Sequence, residues 1–140
     1  MLDLGTSVPS QIISLHLLAE IDRVREERRA SATANFHLVE SHLHDLLPTW
    51  SWSAPRGSLT LWVRLPSGSA RELATVARQR GVAILPGPTT SCDLSFDDHI
   101  RLTIARPADV LAEGIRRLAA AWGDYLPRAE GGGAGLEVIV

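Results

Sequence analysis

The chain has 140 residues, of which 45% are hydrophobic and 21% charged, proportions typical of one folded soluble domain and not of a disordered chain. Its 14 basic and 16 acidic residues leave a net charge of −2, so composition gives no reason to expect binding to nucleic acid or a membrane. Every basic residue is an arginine, and a chain without lysine cannot by itself form a lysine Schiff base. The single cysteine excludes an internal disulfide, and we expect a cytoplasmic protein.

The first third of the chain has the periodicity of helices. Pro9 suits the first turn of one helix. A second helical pattern, with apolar residues three and four positions apart, extends from Ile21 to Leu47. The middle of this pattern is rich in charged and small residues, so the helix could be bent or broken there. Pro48 ends the helical pattern.

Beyond Pro48 the apolar residues alternate with polar ones, which predicts strands. The predicted elements are a short strand at Trp50–Trp52, a strand at Leu59–Leu65, a helix from Ser67 or Ser69 to Arg80, strands at Val82–Leu85 and Ile100–Ile104, and a helix that begins at Pro107. This order predicts an α+β fold in which long helices precede a small mixed sheet (β-β-α-β-β-α) covered by helices. Residues 1–125 are expected to form the domain and residues 126–140 a flexible glycine-rich tail.

Arg101 is the leading candidate for a functional side chain. Its neighbours Ile100, Leu102 and Ile104 are expected to face the helices, so the alternation of a strand turns Arg101 to the opposite face. A guanidinium held there could bind a carboxylate through two parallel hydrogen bonds. The alternative is an ordinary surface ion pair with Asp97 or Asp98.

The other polar and aromatic patterns favour structural explanations. His37, Glu40, His42, His44 and Asp45 lack the spacing of a metal site, and we interpret them as a solvated helix face. No metal site is therefore expected.

Three tryptophans, Trp50, Trp52 and Trp62, could form a stacking platform, although sheet aromatics more often pack together. Cys92 has no basic neighbour in sequence to activate its thiol. Gly131–Gly135 lacks the flanking elements of a phosphate-binding loop. No catalytic group can be assembled from the residues alone.

Three segments in order, Ser58–Pro66 (SLTLWVRLP), Arg80–Gly87 (RGVAILPG) and His99–Ala105 (HIRLTIA), resemble the C-terminal part of class I/II aminotransferases, which are pyridoxal-phosphate (PLP) proteins of fold type I. The likeness is greatest to the aminotransferase-like domain of GntR-family transcription regulators of the MocR type. The resemblance implies that this chain forms the small domain of that fold, together with the helix that connects it to the rest of the protein. It also implies that Arg101 binds the α-carboxylate of a substrate or effector.

The same resemblance implies that the chemistry belongs to a longer parent protein. The Schiff-base lysine and most PLP contacts would lie in a large domain, so the chain alone should hold no cofactor and be inactive. The expected partners are that large domain, an amino-acid or amine effector, a second parent copy in a homodimer, and DNA only through a separate N-terminal domain. The alternatives are the small domain of a metabolic aminotransferase and a free-standing α+β ligand-binding or dimerisation module.

Overall fold

The structure, a computed structural model, describes residues 7–131, with side chains up to Leu126. The chain divides into two compact units between residues 34 and 35. Within the described range, no helix has the length and apolar character needed to cross a membrane.

The first unit holds helix α1 (Val8–Ala19) and the beginning of helix α2 (Ile21–Leu46), which ends in the second unit. Helix α2 has no break, because its charged section is compatible with a regular helix. Arg23 lies 3.0 Å from Glu20 and 2.7 Å from Glu27 in side-chain ion pairs one turn apart, an arrangement that stabilises an exposed helix.

After α2, the second unit contains β1 (Ser51–Trp52), β2 (Thr60–Arg64), α3 (Ala70–Gln79), β3 (Leu85–Pro86), β4 (His99–Thr103) and α4 (Ala108–Gly131). The strands form a four-stranded sheet with the order β1-β2-β4-β3. The predicted α+β fold is confirmed, but the expectation of a mixed sheet is wrong, because every neighbouring pair is antiparallel. Strands β2 and β3 run in the same direction, yet β4 lies between them.

Alternation along β2 and β4 gives the sheet one apolar and one polar face. Leu61 and Val63 of β2 and Ile100 of β4 are fully buried, whereas the residues between them point to the other side. The buried face packs against the end of α2, α3 and α4, which contribute the core residues Val39, Leu43, Leu73, Val76, Ala77, Leu111, Ile115, Leu118 and Trp122. The opposite side, called here the outer face, carries Thr60, Trp62, Arg64, His99, Arg101 and Thr103.

Local sequence signals fix the ends of α3. Ser69 is its N-cap, and the Ser69 hydroxyl accepts a hydrogen bond from the Glu72 amide. At the other end Gly81 adopts a φ of +76°, a left-handed conformation that favours glycine. The Val82 amide then donates to the Ala77 carbonyl, which ties the chain back to α3.

This tie explains why β3 is shorter than predicted. The sequence predicts a strand from Val82 to Leu85, whereas only Leu85 and Pro86 pair with β4. A 3₁₀ turn (Gly87–Thr90) follows directly. Helix α4 continues past Tyr125, the expected end of the domain, to Gly131. The remaining residues of the expected glycine-rich tail, 132–140, lie outside the described residues.

Leu61→Ala tests the burial of Leu61 in the core. Leu61 has no exposed surface and Leu59, two residues earlier, is 55% exposed. The cavity left by Leu61→Ala should lower the free energy of unfolding by about 2–5 kcal/mol. Leu59→Ala should change it by less than about 0.5 kcal/mol. Urea unfolding followed by tryptophan fluorescence measures both, and equal losses would contradict the difference in burial between the two leucines.

Candidate functional site

Arg101 lies on the outer face of β4, as predicted. Its neighbours in sequence include the fully buried Ile100, whereas Arg101 itself is exposed. It is paired across the sheet with Trp62 of β2 on one side and Leu85 of β3 on the other. A central strand therefore holds the backbone of Arg101 between two neighbours and leaves its side chain outside the core.

The structure does not support the alternative in which Arg101 forms an ion pair with Asp97 or Asp98. Nε of Arg64 donates to Oδ2 of Asp98 at 2.8 Å, and Asp97 lies 3.8 Å from Arg71. Among the described side chains, no carboxylate lies within ion-pair distance of Arg101.

Three aromatic rings lie together next to Arg101 on the outer face. The rings of Trp62 and His99 are stacked, with centroids 5.2 Å apart and an interplanar angle of 18°. Phe96 meets both rings edge to face, at 5.8 Å from Trp62 and 5.6 Å from His99. Edge-to-face and offset geometries are the favourable arrangements for aromatic pairs, so this aromatic cluster (Trp62, Phe96 and His99) is a packed unit.

The backbone that presents Phe96 is strained and tightly held. Phe96 has a φ of +65°, a left-handed conformation that costs a bulky residue about 1–3 kcal/mol. Its carbonyl accepts a hydrogen bond of 3.0 Å from the His99 amide. Gly87 packs so closely that an added Cβ would clash with the Phe96 carbonyl oxygen. These contacts fix a conformation in which Phe96 remains 51% exposed.

An ion-pair network fixes the side of the aromatic cluster away from Arg101. Nδ1 of His99 lies 2.6 Å from Oδ1 of Asp98, whose other oxygen accepts from Arg64. Burial acts to raise the pKa of Asp98, but hydrogen bonds from Arg64 and His99 outweigh it, and the pKa lies below its ordinary value. The network stabilises the carboxylate and orients the His99 ring.

Two concave regions adjoin Arg101. The smaller, of about 550 Å³, lies between Arg101, Trp62 and the loop that carries Phe96. The larger, of about 850 Å³, lies between β4, the segment before β3 and α4, and includes Arg106 and Glu113 in its lining. Glu113 is paired with Arg116 and Arg117. The smaller region combines the exposed guanidinium with aromatic walls.

The histidines of α2 are not arranged as a metal site in the described part of the chain. His37 lies 3.6 Å from Glu40, Nδ1 of His42 is 2.9 Å from its own helix carbonyl of Leu38, and the ring of His44 packs 4.7 Å from that of Trp52. In the described part of the chain, no group of three metal-ligating side chains is arranged around one point.

The three tryptophans do not share one surface. Trp50 is buried and meets Trp122 edge to face at 5.3 Å. Trp52 pairs with Val63 and packs against the core, whereas Trp62 is on the outer face. A stacking platform of all three is therefore excluded by the register. Cys92 is exposed and borders the smaller concave region.

The sequence pattern did not identify Phe96 and His99 as neighbours of Arg101 on the outer face. It also did not identify Asp98 as the partner of Arg64 and His99. The position of His99 could have been predicted, because it precedes Arg101 by two residues and therefore lies on the same face of the strand. The position of Phe96 could not, because a positive φ at a phenylalanine cannot be read from alternation.

The residues fit only part of a PLP site. The guanidinium of Arg101 is suited to binding a carboxylate. The sequence contains no lysine, however, so this chain has no amine with which PLP could form a Schiff base. We therefore derive no chemical step through the cofactor from this chain.

The fold matches that of aminotransferase small domains. Over 89% of this chain, the kynurenine aminotransferase of Pyrococcus horikoshii superposes with a TM-score of 0.78 at 26% identity. The α-aminoadipate aminotransferase of Thermus thermophilus covers 82% with a TM-score of 0.75 at 24% identity. A PLP-dependent aminotransferase of Streptococcus suis covers 84% with a TM-score of 0.74 at 18% identity.

These structural neighbours are PLP-dependent aminotransferases of fold type I, which supports the resemblance to that superfamily. The chain spans only 30%, 32% and 31% of the Thermus, Pyrococcus and Streptococcus chains. Neither a protein-family model nor a curated protein sequence matches it.

Asp98→Asn tests the ion-pair network. Because the folded-state pKa of Asp98 is lowered, its contribution is present above the ordinary carboxyl pKa and is lost as the pH falls through the lowered value. At pH 7 the variant should lose about 0.5–1 kcal/mol of unfolding free energy, and the difference should shrink below about pH 4.

Urea unfolding at pH 7 and pH 3 measures this difference. Arg64→Gln, which removes one of the two partners of Asp98 and leaves the contact with His99, should cause a loss of the same sign that is no larger. Arg56→Gln, in an exposed turn, serves as the arginine control. A loss from Asp98→Asn that is equally large at both pH values would contradict the assigned role of the carboxylate.

Proposed function

We propose that this chain is the C-terminal small domain of a longer PLP-dependent aminotransferase-like protein, in which Arg101 binds the carboxylate of an amino-acid ligand. The observation that carries the proposal is the exposed guanidinium of Arg101 on a central strand, without a carboxylate partner among the described side chains. A planar guanidinium suits a carboxylate because two of its N–H groups match the two oxygens.

The proposal assigns the remaining functions to other parts of the parent protein. A large domain would supply the lysine and the phosphate contacts of PLP, and the chain alone would not be catalytic. Exposed apolar side chains on α1 favour such a partner surface, since Ile12, Ile13 and Leu17 are each more than half exposed. A homodimer of the parent and a cytoplasmic location belong to the same proposal.

For the role of the parent we propose the effector-sensing domain of a GntR-family regulator of the MocR type. Support comes from the order of the three segments that resemble this group and from the long unbroken helix α2 before the sheet. In this role the amino acid or amine would act as an effector, and a separate N-terminal domain would bind DNA.

A metabolic aminotransferase is the second candidate, favoured by the activities named for the solved neighbours. The two roles differ in their products. The full-length protein with PLP, an amino acid and a 2-oxo acid acceptor should form a new 2-oxo acid if it is an aminotransferase. A regulator should instead bind a DNA segment from its own promoter region in an effector-dependent manner.

Arg101→Gln in the full-length, PLP-loaded protein tests the carboxylate assignment. Loss of a charge-assisted pair should weaken binding of the preferred amino acid about 10- to 100-fold. It should leave PLP binding unchanged, because Arg101 is assigned only to the carboxylate. Spectrophotometric titration with the twenty amino acids measures both quantities.

Arg106→Gln is the matched control, because Arg106 is also an exposed arginine near the end of β4. It should leave the affinity within about twofold of the unchanged protein. If Arg101→Gln binds the amino acid as tightly as Arg106→Gln does, Arg101 is not the carboxylate anchor.

A further inference from the structure

Strand β1 forms an open edge of the sheet. It lies at one end of the strand order, and among the described residues it pairs with β2 alone. An edge strand presents main-chain N–H and C=O groups on its unpaired side, and these groups can pair with a further strand. Ser51 and Ser53, on either side of Trp52, are exposed. The sheet can therefore be extended at β1.

Two tryptophans at this edge lack either a cover or a partner. Trp52 is paired with the fully buried Val63 and so lies on the core face, yet Trp52 is only half-buried. Trp50, directly before β1, is 4% exposed, and its indole N–H has no hydrogen-bond acceptor in the described part of the chain. Buried N–H groups are almost always paired in native proteins. A further strand against β1 would cover Trp52 and bring main-chain carbonyl groups close to Trp50.

Residues 136–140 (LEVIV) have the sequence pattern of a strand. The side chains of Leu136, Val138 and Val140 are all apolar, and they alternate with Glu137 and Ile139. Three of the five residues are β-branched, a feature that is enriched in strands. One side of such a strand would be wholly apolar, and the other side would carry a carboxylate. The apolar side suits a continuation of the core face.

The linker before this segment is long enough to reach β1. Trp122 of α4 meets Trp50 edge to face at 5.3 Å. Gly131, the last residue of α4, lies nine residues beyond Trp122 and thus about 13 Å further along the helix axis. Residues 132–135, three of which are glycine, span up to about 14 Å when extended. They can therefore bring Leu136 back to the level of Trp50.

The opposite edge of the sheet is a poorer match for this segment. Strand β3 contains Pro86, which has no N–H to donate, and a 3₁₀ turn follows it directly. The larger concave region beside β3 begins at Leu118 of α4, thirteen residues and about 20 Å before Gly131. That distance exceeds the reach of the four-residue linker. Reach and hydrogen-bonding capacity both favour β1.

We propose that residues 136–140 bind the open edge of β1 within the same chain and form a fifth strand of the sheet. The segment returns from the end of α4 to the beginning of β1, so it runs parallel to β1. Leu136, Val138 and Val140 lie on the core face, and Glu137 lies on the outer face. The short linker holds the segment near β1 at an effective concentration of roughly millimolar, which favours pairing within one chain over pairing with a second copy.

Hydrogen exchange in ¹H–¹⁵N NMR spectra tests the proposal on the 140-residue chain and on a version that ends at Gly135. A segment that is paired for nine-tenths of the time slows the exchange of the amides it binds about tenfold. We expect this protection for at least one amide of residues 51–53, and the shorter version should lose it. The Leu85 amide, on the opposite edge, should exchange at the same rate in both proteins. The amide signals of β4 report that the sheet is retained.

Two neighbouring substitutions test which side of the segment faces the core. Val138→Lys places a charge on the core side and should reduce the protection to within about twofold of the shorter version. Ile139→Lys makes a matched change on the outer side and should keep the protection within about twofold of the unchanged chain. An apolar tail that adheres without strand pairing would respond equally to both substitutions, and that result would overturn the proposal.

Three further outcomes would contradict the proposed strand. Equal exchange rates at residues 51–53 in the full and shorter versions would show that the segment does not bind β1. Protection at Leu85 in place of residues 51–53 would place the segment on the wrong edge. In a mixture of labelled and unlabelled chains, nuclear Overhauser contacts from Val138 to Trp52 that arise only between different copies would replace the single-chain pairing by strand exchange.

Discussion

The antiparallel pairing of β2 with β4 is the constraint on which the site depends. One register sets Val63 opposite Ile100 inside the core and Trp62 opposite Arg101 outside it. Because side chains alternate along a strand, a shift of one residue would bury the guanidinium and expose the core. The apolar residues of the two strands therefore determine the position of Arg101 through the register of the sheet.

Neighbouring polar groups on the outer face reinforce this arrangement. Asp98 accepts a hydrogen bond from Arg64 and lies close to His99. The carboxylate of Asp98 therefore pairs with these two residues and not with Arg101. The stacked ring of His99 in turn supports Trp62. The result is a guanidinium flanked by a rigid aromatic surface, which is a suitable environment for an organic carboxylate.

Strict alternation made the α+β fold and the face on which Arg101 lies predictable from sequence, because β2 and β4 each have one wholly apolar side. The sequence could not predict the partners of Asp98, since these depend on the register that sets Arg64 opposite His99. The sequence also suggested a group of Trp50, Trp52 and Trp62, although Trp50 is buried in the core and Trp52 and Trp62 lie on opposite faces of the sheet. The exposed ring of Phe96 depends on a left-handed backbone, which no periodic pattern encodes.

A crystal structure of the full-length protein with PLP and its preferred amino-acid ligand tests the central claim most directly. The account predicts that the guanidinium of Arg101 donates two hydrogen bonds of about 2.8 Å to the ligand carboxylate. It also predicts that the outer face of the sheet borders the cofactor cleft. An Arg101 side chain paired with a carboxylate of the protein, or an outer face turned away from the cofactor, would contradict the account.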